Sequence, residues 1–211
     1  MSQATLQDAI PRTSPHATPA LHAVEIDDRQ RRAEAAVAEL LTALGRDTTT
    51  EHLADTPRRV AASLLELLTP RDFTMTTFPN DEGYEELVLV RDIPFHSLCE
   101  HHLLPFRGVA HVGYVPGERL VGLSKLARVV ESFSRDLQVQ ERLTKQIADY
   151  LDENLAPRGV GVVLEAEHLC MTLRGAQAAG SMTTTSAFTG ILAKDNAMRR
   201  QFRRAGGDLP A

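Results

Sequence analysis

The chain contains two cysteines, and each stands beside histidines. Cys99 opens the segment "CEHH", followed by His101 and His102, while Cys170 closes "HLC", two residues after His168. Thiolate sulfur and imidazole nitrogen are preferred zinc ligands. The i,i+3 spacing lets Cys99 and His102 face the same side of a turn or short helix. If residues 159–170 run as a strand, alternation puts His168 and Cys170 on one face with Val160, Val162, Leu164 and Ala166. Three ligands, Cys99, His102 and Cys170, would leave a fourth position open to water, the pattern of a catalytic rather than a structural zinc site. Two buried cysteines near ordinarily hydrogen-bonded histidines satisfy the same spacing, and spacing alone does not choose.

A second group suits anions. "GLSKLAR" places Ser124 at a helix start with Lys125 beside it and Arg128 one turn on. Free backbone amides, the helix dipole and two cations can cradle a phosphate. Routine capping with a solvated basic face fits equally. Arg59 in "TPRRV" and Arg174 in "LRG" are further guanidinium forks. In "QVQERLTK", Glu141 and Lys145 sit four residues apart, which predicts an i,i+4 pair. A carboxylate there can also accept both the ring N–H and the exocyclic amine of a guanine.

The elements that position these groups follow from patterning. The 211 residues, 43% hydrophobic and 24% charged, describe an ordinary globular protein large enough to bury a core without disulfides. A net charge of -5 argues against nonspecific nucleic-acid binding. The first residues lack the basic start and apolar run of a signal peptide, no stretch reaches the ~18–20 apolar residues of a membrane span, and the cysteines read as thiols or metal ligands. The cytoplasm is therefore the expected compartment. Residues 1–26, punctuated by Pro11, Pro15 and Pro19, read as a disordered tail. Residues 27–85 form a helical N-terminal region: one helix from Asp27 or Asp28 to Gly45, another with Thr56 as N-cap, Pro57 in its first turn and Pro70 as its stop, then a loop over 71–85. Residues 86–204 follow as the main domain, with strands over 86–93 and 106–116, helices from Ser124 and over 139–155, strand character over 159–175 and 181–192, and a tail from 205. Val139, Leu143, Ile147, Leu151 and Leu155 recur every four residues, an apolar stripe for docking on a sheet. This order predicts an α+β domain with paired helices on one face of an antiparallel sheet. His111, within a strand, is expected to serve an ordinary surface or packing role, and the basic "MRRQFRRAGGDLPA" to be a solvated helix end and tail.

Taken together, "TPRRVA", "RDIPFHSLCEHHLLPFRGVAHVGYVP", "LVGLSKLARVVESFSRDLQVQERLTKQI", "GVGVVLEAEHLCMTLRG" and "SMTTTSAFTG" resemble the GTP cyclohydrolase I family, in order and over most of the chain beyond the tail. The resemblance implies a tunnelling fold whose subunits join sheet edges into an oligomeric barrel, usually a homodecamer. It implies hydrolytic opening of the GTP imidazole ring at C8, formate release, ribose rearrangement and closure to 7,8-dihydroneopterin triphosphate. The family's zinc ligands carry over to Cys99, His102 and Cys170, with one Zn2+ per subunit and a water on the metal as the nucleophile. Its catalytic histidines carry over to His101 and His168, and its serine near ribose and phosphates to Ser124. The triphosphate positions carry over to Lys125, Arg128, Arg174 and Arg59, and the guanine-reading pair to Gln140 and Glu141. The family's pocket forms between subunits, which makes Arg59 a residue offered by a neighbouring chain.

Three positions depart from the usual pattern: His96 in place of an aromatic, Asp136 in place of a basic residue, and "VAASLLELL" without its aromatic. None of them removes a matched functional residue. Two other readings accompany the leading one. The nitrile reductase of queuosine biosynthesis shares the tunnelling fold but uses a cysteine nucleophile with NADPH and lacks this Cys/His set. A non-catalytic zinc-stabilised scaffold would need none of His101, His168, Ser124, Lys125 and Glu141 together.

Overall fold

The structure is a computed structural model that describes residues 23–205, so residues 1–22 of the tail read over 1–26, and residues 206–211, lie outside the described residues, while residues 23–26 are helical and not tail. The described residues divide after Thr69 into two compact units. The first holds helices α1 (Ala23–Ala43) and α2 (Thr56–Leu67). Helix α1 starts ahead of the acidic pair at Asp27 and Asp28. It ends where Gly45 takes φ +71°, with Gly45 N–H on the Thr42 carbonyl and Arg46 N–H on that of Leu41. Left-handed glycine and these back-bonds satisfy the last carbonyls of a helix. The N-cap of α2 is Asp55 rather than Thr56. Its carboxylate does not cap the helix but pairs with Arg58 at 3.2 Å and Arg59 at 3.3 Å.

The second unit is built on a sheet. In chain order it holds β1 (Thr77–Pro79), β2 (Val88–Cys99), β3 (Pro105–Val115), β4 (Arg119–Val121), α3 (Leu123–Ser134), β5 (Leu137–Gln138) and α4 (Gln140–Leu155), followed by β6 (Gly159–His168), α5 (Leu169–Thr172), β7 (Thr183–Phe188), α6 (Gly190–Lys194) and α7 (Asn196–Ala205). Strand order in the main sheet is β5-β2-β3-β6-β7, antiparallel except for the short parallel β5–β2 pairing. The segment read as a loop over 71–85 contains β1, which pairs with β4 and belongs with the sheet.

Strand β2 runs beyond the expected end at 93, through Pro94 to Cys99. Its side away from β3 is paired only at Leu98 and Cys99 among the described residues. A proline is tolerated on such an edge. A bulge between Val90 and Ile93 puts Asp92 at φ +54°.

One face of the sheet carries the main core. Ala110, Val112 and Tyr114 of β3, with Val160, Val162, Leu164 and Ala166 of β6, meet Leu126, Val129 and Val130 of α3 and Leu143, Ile147 and Leu151 of α4. Each such large side chain taken from water contributes about 1.5–3 kcal/mol before entropy is charged against it. The helix pair expected from the order of elements is thus in place.

The other face is covered in part by α6 and α7, an addition to the one-sided arrangement expected. Val115, Val163, Leu192 and Phe202 form a second core there. Gly113 and Gly161, paired across β3 and β6, leave room for the Phe202 ring, which a Cβ at Gly161 would meet at 2.7 Å. The basic segment near the C-terminus is therefore anchored by a buried Phe202, not solvated on all sides. On the same face His111 is 2% exposed, accepts the Asp92 N–H at Nδ1 (3.4 Å) and brings Nε2 to 3.5 Å from Glu165. Of the surface and packing roles open to it, packing is the one it takes, and it pins the bulge.

Candidate functional site

Strand β2 delivers Cys99 at its last position, 6% exposed, and the chain then reverses tightly into β3. Cys99 N–H donates to the Leu104 carbonyl, while His102 and Leu103 N–H both point at the Cys99 carbonyl. Leu103 takes φ +56° to close the turn, a conformation costly for a branched side chain and a mark of functional turns. The reversal swings His102 back over Cys99, with Nδ1 3.8 Å from Sγ. His101 Nδ1 lies 4.0 Å from the same sulfur. Arg142 of α4 reinforces the turn: it bonds Glu100, the Leu137 carbonyl and Gln138 Oε1, and Glu100 reaches His101 Nε2 at 3.8 Å.

Cys170 arrives from the far side of β3. Its sulfur is 4.0 Å from that of Cys99, and the donor atoms of Cys99, His102 and Cys170 all lie within 4.8 Å of one another. Tetrahedral zinc with bonds of about 2.3 Å to sulfur and 2.0–2.1 Å to nitrogen needs S···S near 3.8 Å and S···N near 3.6 Å. The donor set therefore fits a zinc ion with little movement. Burial, and then the neighbouring Cys99 sulfur, push the Cys170 thiol up. The strand alternation expected to align His168 with Cys170 does not operate, because β6 ends at His168 and α5 begins at Leu169. A helical turn, not a strand face, carries Cys170 to the metal position.

Two contacts hold His168. Its ring stacks on Phe106 at 4.6 Å with a 2° interplanar angle. Its Nε2 is 2.7 Å from Gln140 Oε1. Burial holds its pKa below the usual imidazole value, with the Glu141 charge pulling the other way. Gln140, expected to read guanine, is 1% exposed and turned inward: its amide donates to the carbonyls of Leu164 at 3.1 Å and Thr183 at 2.9 Å. Glu141 next to it is exposed. Lys145 does not pair with Glu141; it grips Asp149 at 2.8 Å, one turn further along α4. A cleft of about 390 Å³ between α4 and β7 is lined by Glu141, Thr144, Lys145 and Thr185, among others.

The anion group lies at the start of α3. Gly122, not Ser124, is the N-cap, with Ser124 exposed in the first turn and Lys125 half-buried. Arg128 bonds Glu131 at 3.0 Å, and the same carboxylate takes Arg71 and Arg135. Three guanidinium groups around one carboxylate leave a net positive surface. Although burial alone would raise Glu131, these arginines hold its carboxyl below the usual range. Arg174 follows α5, exposed and close enough to favour a Cys170 thiolate. Arg59 belongs to the first unit, on α2, exposed beside Asp55.

The spacing arguments missed the roles of Gln140, Arg142 and Glu131. Gln140 and Thr144 had a signal: both fall on the apolar stripe of α4 with Ile147 and Leu151, where a polar residue needs a buried partner. Glu131 had a local signal in Arg128 and Arg135 at i,i+3 and i,i+4 spacing, whereas its bond to Arg71 and that of Arg142 to Glu100 join residues far apart in sequence that nothing local marks.

A mixed sheet backed by paired helices, with a Cys–His–Cys donor set and two further histidines, defines a metalloenzyme-type centre on an α+β scaffold. The chain matches GTP cyclohydrolase I over residues 33–206, and it belongs to that family. It is 56% identical over 181 residues to the GTP cyclohydrolase 1 of Mycolicibacterium gilvum (strain PYR-GCK), covering 83% of this chain and 89% of that one. It is 51% identical over 167 residues to that of Aquifex aeolicus (strain VF5), covering 79% and 91%. Among solved structures it is similar to the archaeosine synthase QueF-Like in the apo form, at 17% identity and TM-score 0.40, over 49% of this chain and 93% of that one.

Proposed function

We propose that the chain is a GTP cyclohydrolase I: it opens the imidazole ring of GTP at C8 by hydrolysis, releases formate, and closes the rearranged product to 7,8-dihydroneopterin triphosphate. The observation that carries the reading is the meeting of Cys99, His102 and Cys170 within 4.8 Å, with His101 Nδ1 4.0 Å from the Cys99 sulfur and His168 two residues ahead of Cys170. In this reading the three donors hold one Zn2+ per subunit, which when bound supplies a water ionised near neutral pH. His168 handles the proton at the purine ring and His101 assists on the ribose side, roles that an imidazole can take as general acid or base. Glu141 reads the guanine edge. Ser124, Lys125, Arg128 and Arg174 hold ribose and triphosphate, and Arg59 completes the cradle from a neighbouring chain. The working form is a tunnelling-fold barrel, a homodecamer with sites between subunits, in the cytoplasm.

The test is incubation of zinc-loaded protein with GTP while formate and the pterin chromophore are followed. Release of formate in step with the chromophore is the expected result. Absence of formate from fully assembled, zinc-loaded protein sinks the reading, and NADPH oxidation without formate would replace it with nitrile reduction.

A further inference from the structure

Gln140 was matched to substrate recognition, yet its side chain has little left with which to recognise anything. An amide offers two N–H donors on nitrogen and acceptor lone pairs on oxygen. Nitrogen faces two backbone carbonyls, Leu164 of β6 and Thr183 of β7, and only a donor satisfies them. The amide orientation is thereby fixed, and Oε1 is the atom that meets His168 Nε2 at 2.7 Å. An acceptor at that distance requires Nε2 to carry the proton. In the neutral ring Nδ1 is then the one basic position. Phe106, fully buried and stacked flat on the imidazole, removes the ring's freedom to flip. Behind Gln140, its own carbonyl accepts from Thr144 Oγ1 at 2.7 Å, and that hydroxyl meets Thr185 at 2.6 Å, so the N-terminus of α4 is stitched to β6 and β7.

We infer that Gln140 is a positioning residue: it locks His168 as the Nε2–H tautomer, leaving Nδ1 to exchange protons with the substrate, and it does not read guanine. The inference rests on the reading of His168 as the proton-handling group. A buried partner that sets which imidazole nitrogen is basic acts on turnover without touching the substrate, as outer partners of histidine ligands do.

The first experiment needs neither substrate nor substitution. Full-length, zinc-loaded protein with 15N-labelled histidine is examined by NMR at a pH where His168 is neutral. A single hydrogen-bonded Nε2–H species for His168 is expected; a proton on Nδ1, or a mixture, overturns the inference. The second compares Gln140→Leu and Gln140→Glu with the unsubstituted enzyme, with bound zinc and melting temperature measured on each. Gln140→Leu should give a tautomer mixture and a kcat lowered about 10- to 100-fold, with KM for GTP held within about twofold. Gln140→Glu, which keeps an acceptor for Nε2–H, should recover the single tautomer and part of kcat. A guanine-reading role would instead raise KM and narrow the preference for GTP over inosine triphosphate, and that outcome refutes the proposal. If neither variant folds, the spectrum of the unsubstituted protein decides. If that protein releases no formate, the cyclohydrolase reading fails, while the tautomer measurement still stands or falls by itself.

Discussion

His101 and His102 are neighbours with different obligations. The reversal after β2 aims both rings at the Cys99 sulfur, but His102 shares its position with Cys170, and Glu100 reaches the far nitrogen of His101. Replacing His101 by Ala should therefore leave bound zinc near stoichiometric and depress formate release by about 10²- to 10⁴-fold, the range of a lost proton-transfer group. Replacing His102 by Ala should lose both, as metal analysis alongside the formate assay will show. Zinc lost from the His101 variant with His102 intact would overturn the division. At this scale the sequence was most informative where spacing is short. Cys99 and His102 share one turn, so their meeting could be read from three intervening steps. The orientation of Gln140 could not, because its partners Leu164 and Thr183 come into range only once β6 and β7 are laid side by side.

Elements were legible in the same uneven way. The stripe of α4 identified its buried face, since Leu143, Ile147, Leu151 and Leu155 all lie in the core. The end of β6 did not show, because "EHLCMT" alternates well enough to read as strand, and no Gly or Pro marks the switch into α5 at Leu169. Pro94 hid the second half of β2 for the opposite reason, being a breaker that an edge strand absorbs. Helix α3 also carries a charge arrangement whose pH response can be stated. Glu131 has a folded pKa below its ordinary 4.5, so its ion pairs stabilise the fold fully above that value. The contribution is lost as pH falls through the lower folded value, when the carboxyl takes a proton and releases Arg71, Arg128 and Arg135. Glu131→Gln should lower stability by about 2 kcal/mol near neutral pH and shrink the difference from the native chain in acid. Urea unfolding at a series of pH values reads both, and a difference that grows below pH 4.5 would contradict the assignment.

At the scale of the whole molecule, the two thiols lie 71 positions apart in the chain and 4.0 Å apart in space. They reach each other across β3, which separates β2 from β6. An ion held by both is a reversible clasp on a loop that no covalent bond closes, since both cysteines are free thiols. By the entropy of closing so long a loop, such a clasp is worth about 4 kcal/mol if it behaves as a covalent link would. Stripping the metal with a chelator should accordingly lower the melting temperature by about 8–16 °C, at 2–4 °C for each kcal/mol in a chain of this size. Readdition of zinc should restore it, and an unchanged melting curve after verified metal loss would refute the clasp. The clasp also orders events in time. A nascent chain that has made only "CEHH" offers an ion two adjacent donors and a weak grip. The third donor comes only when β2, β3 and β6 are laid together, so capture of an ion by all three donors would wait on that part of the sheet.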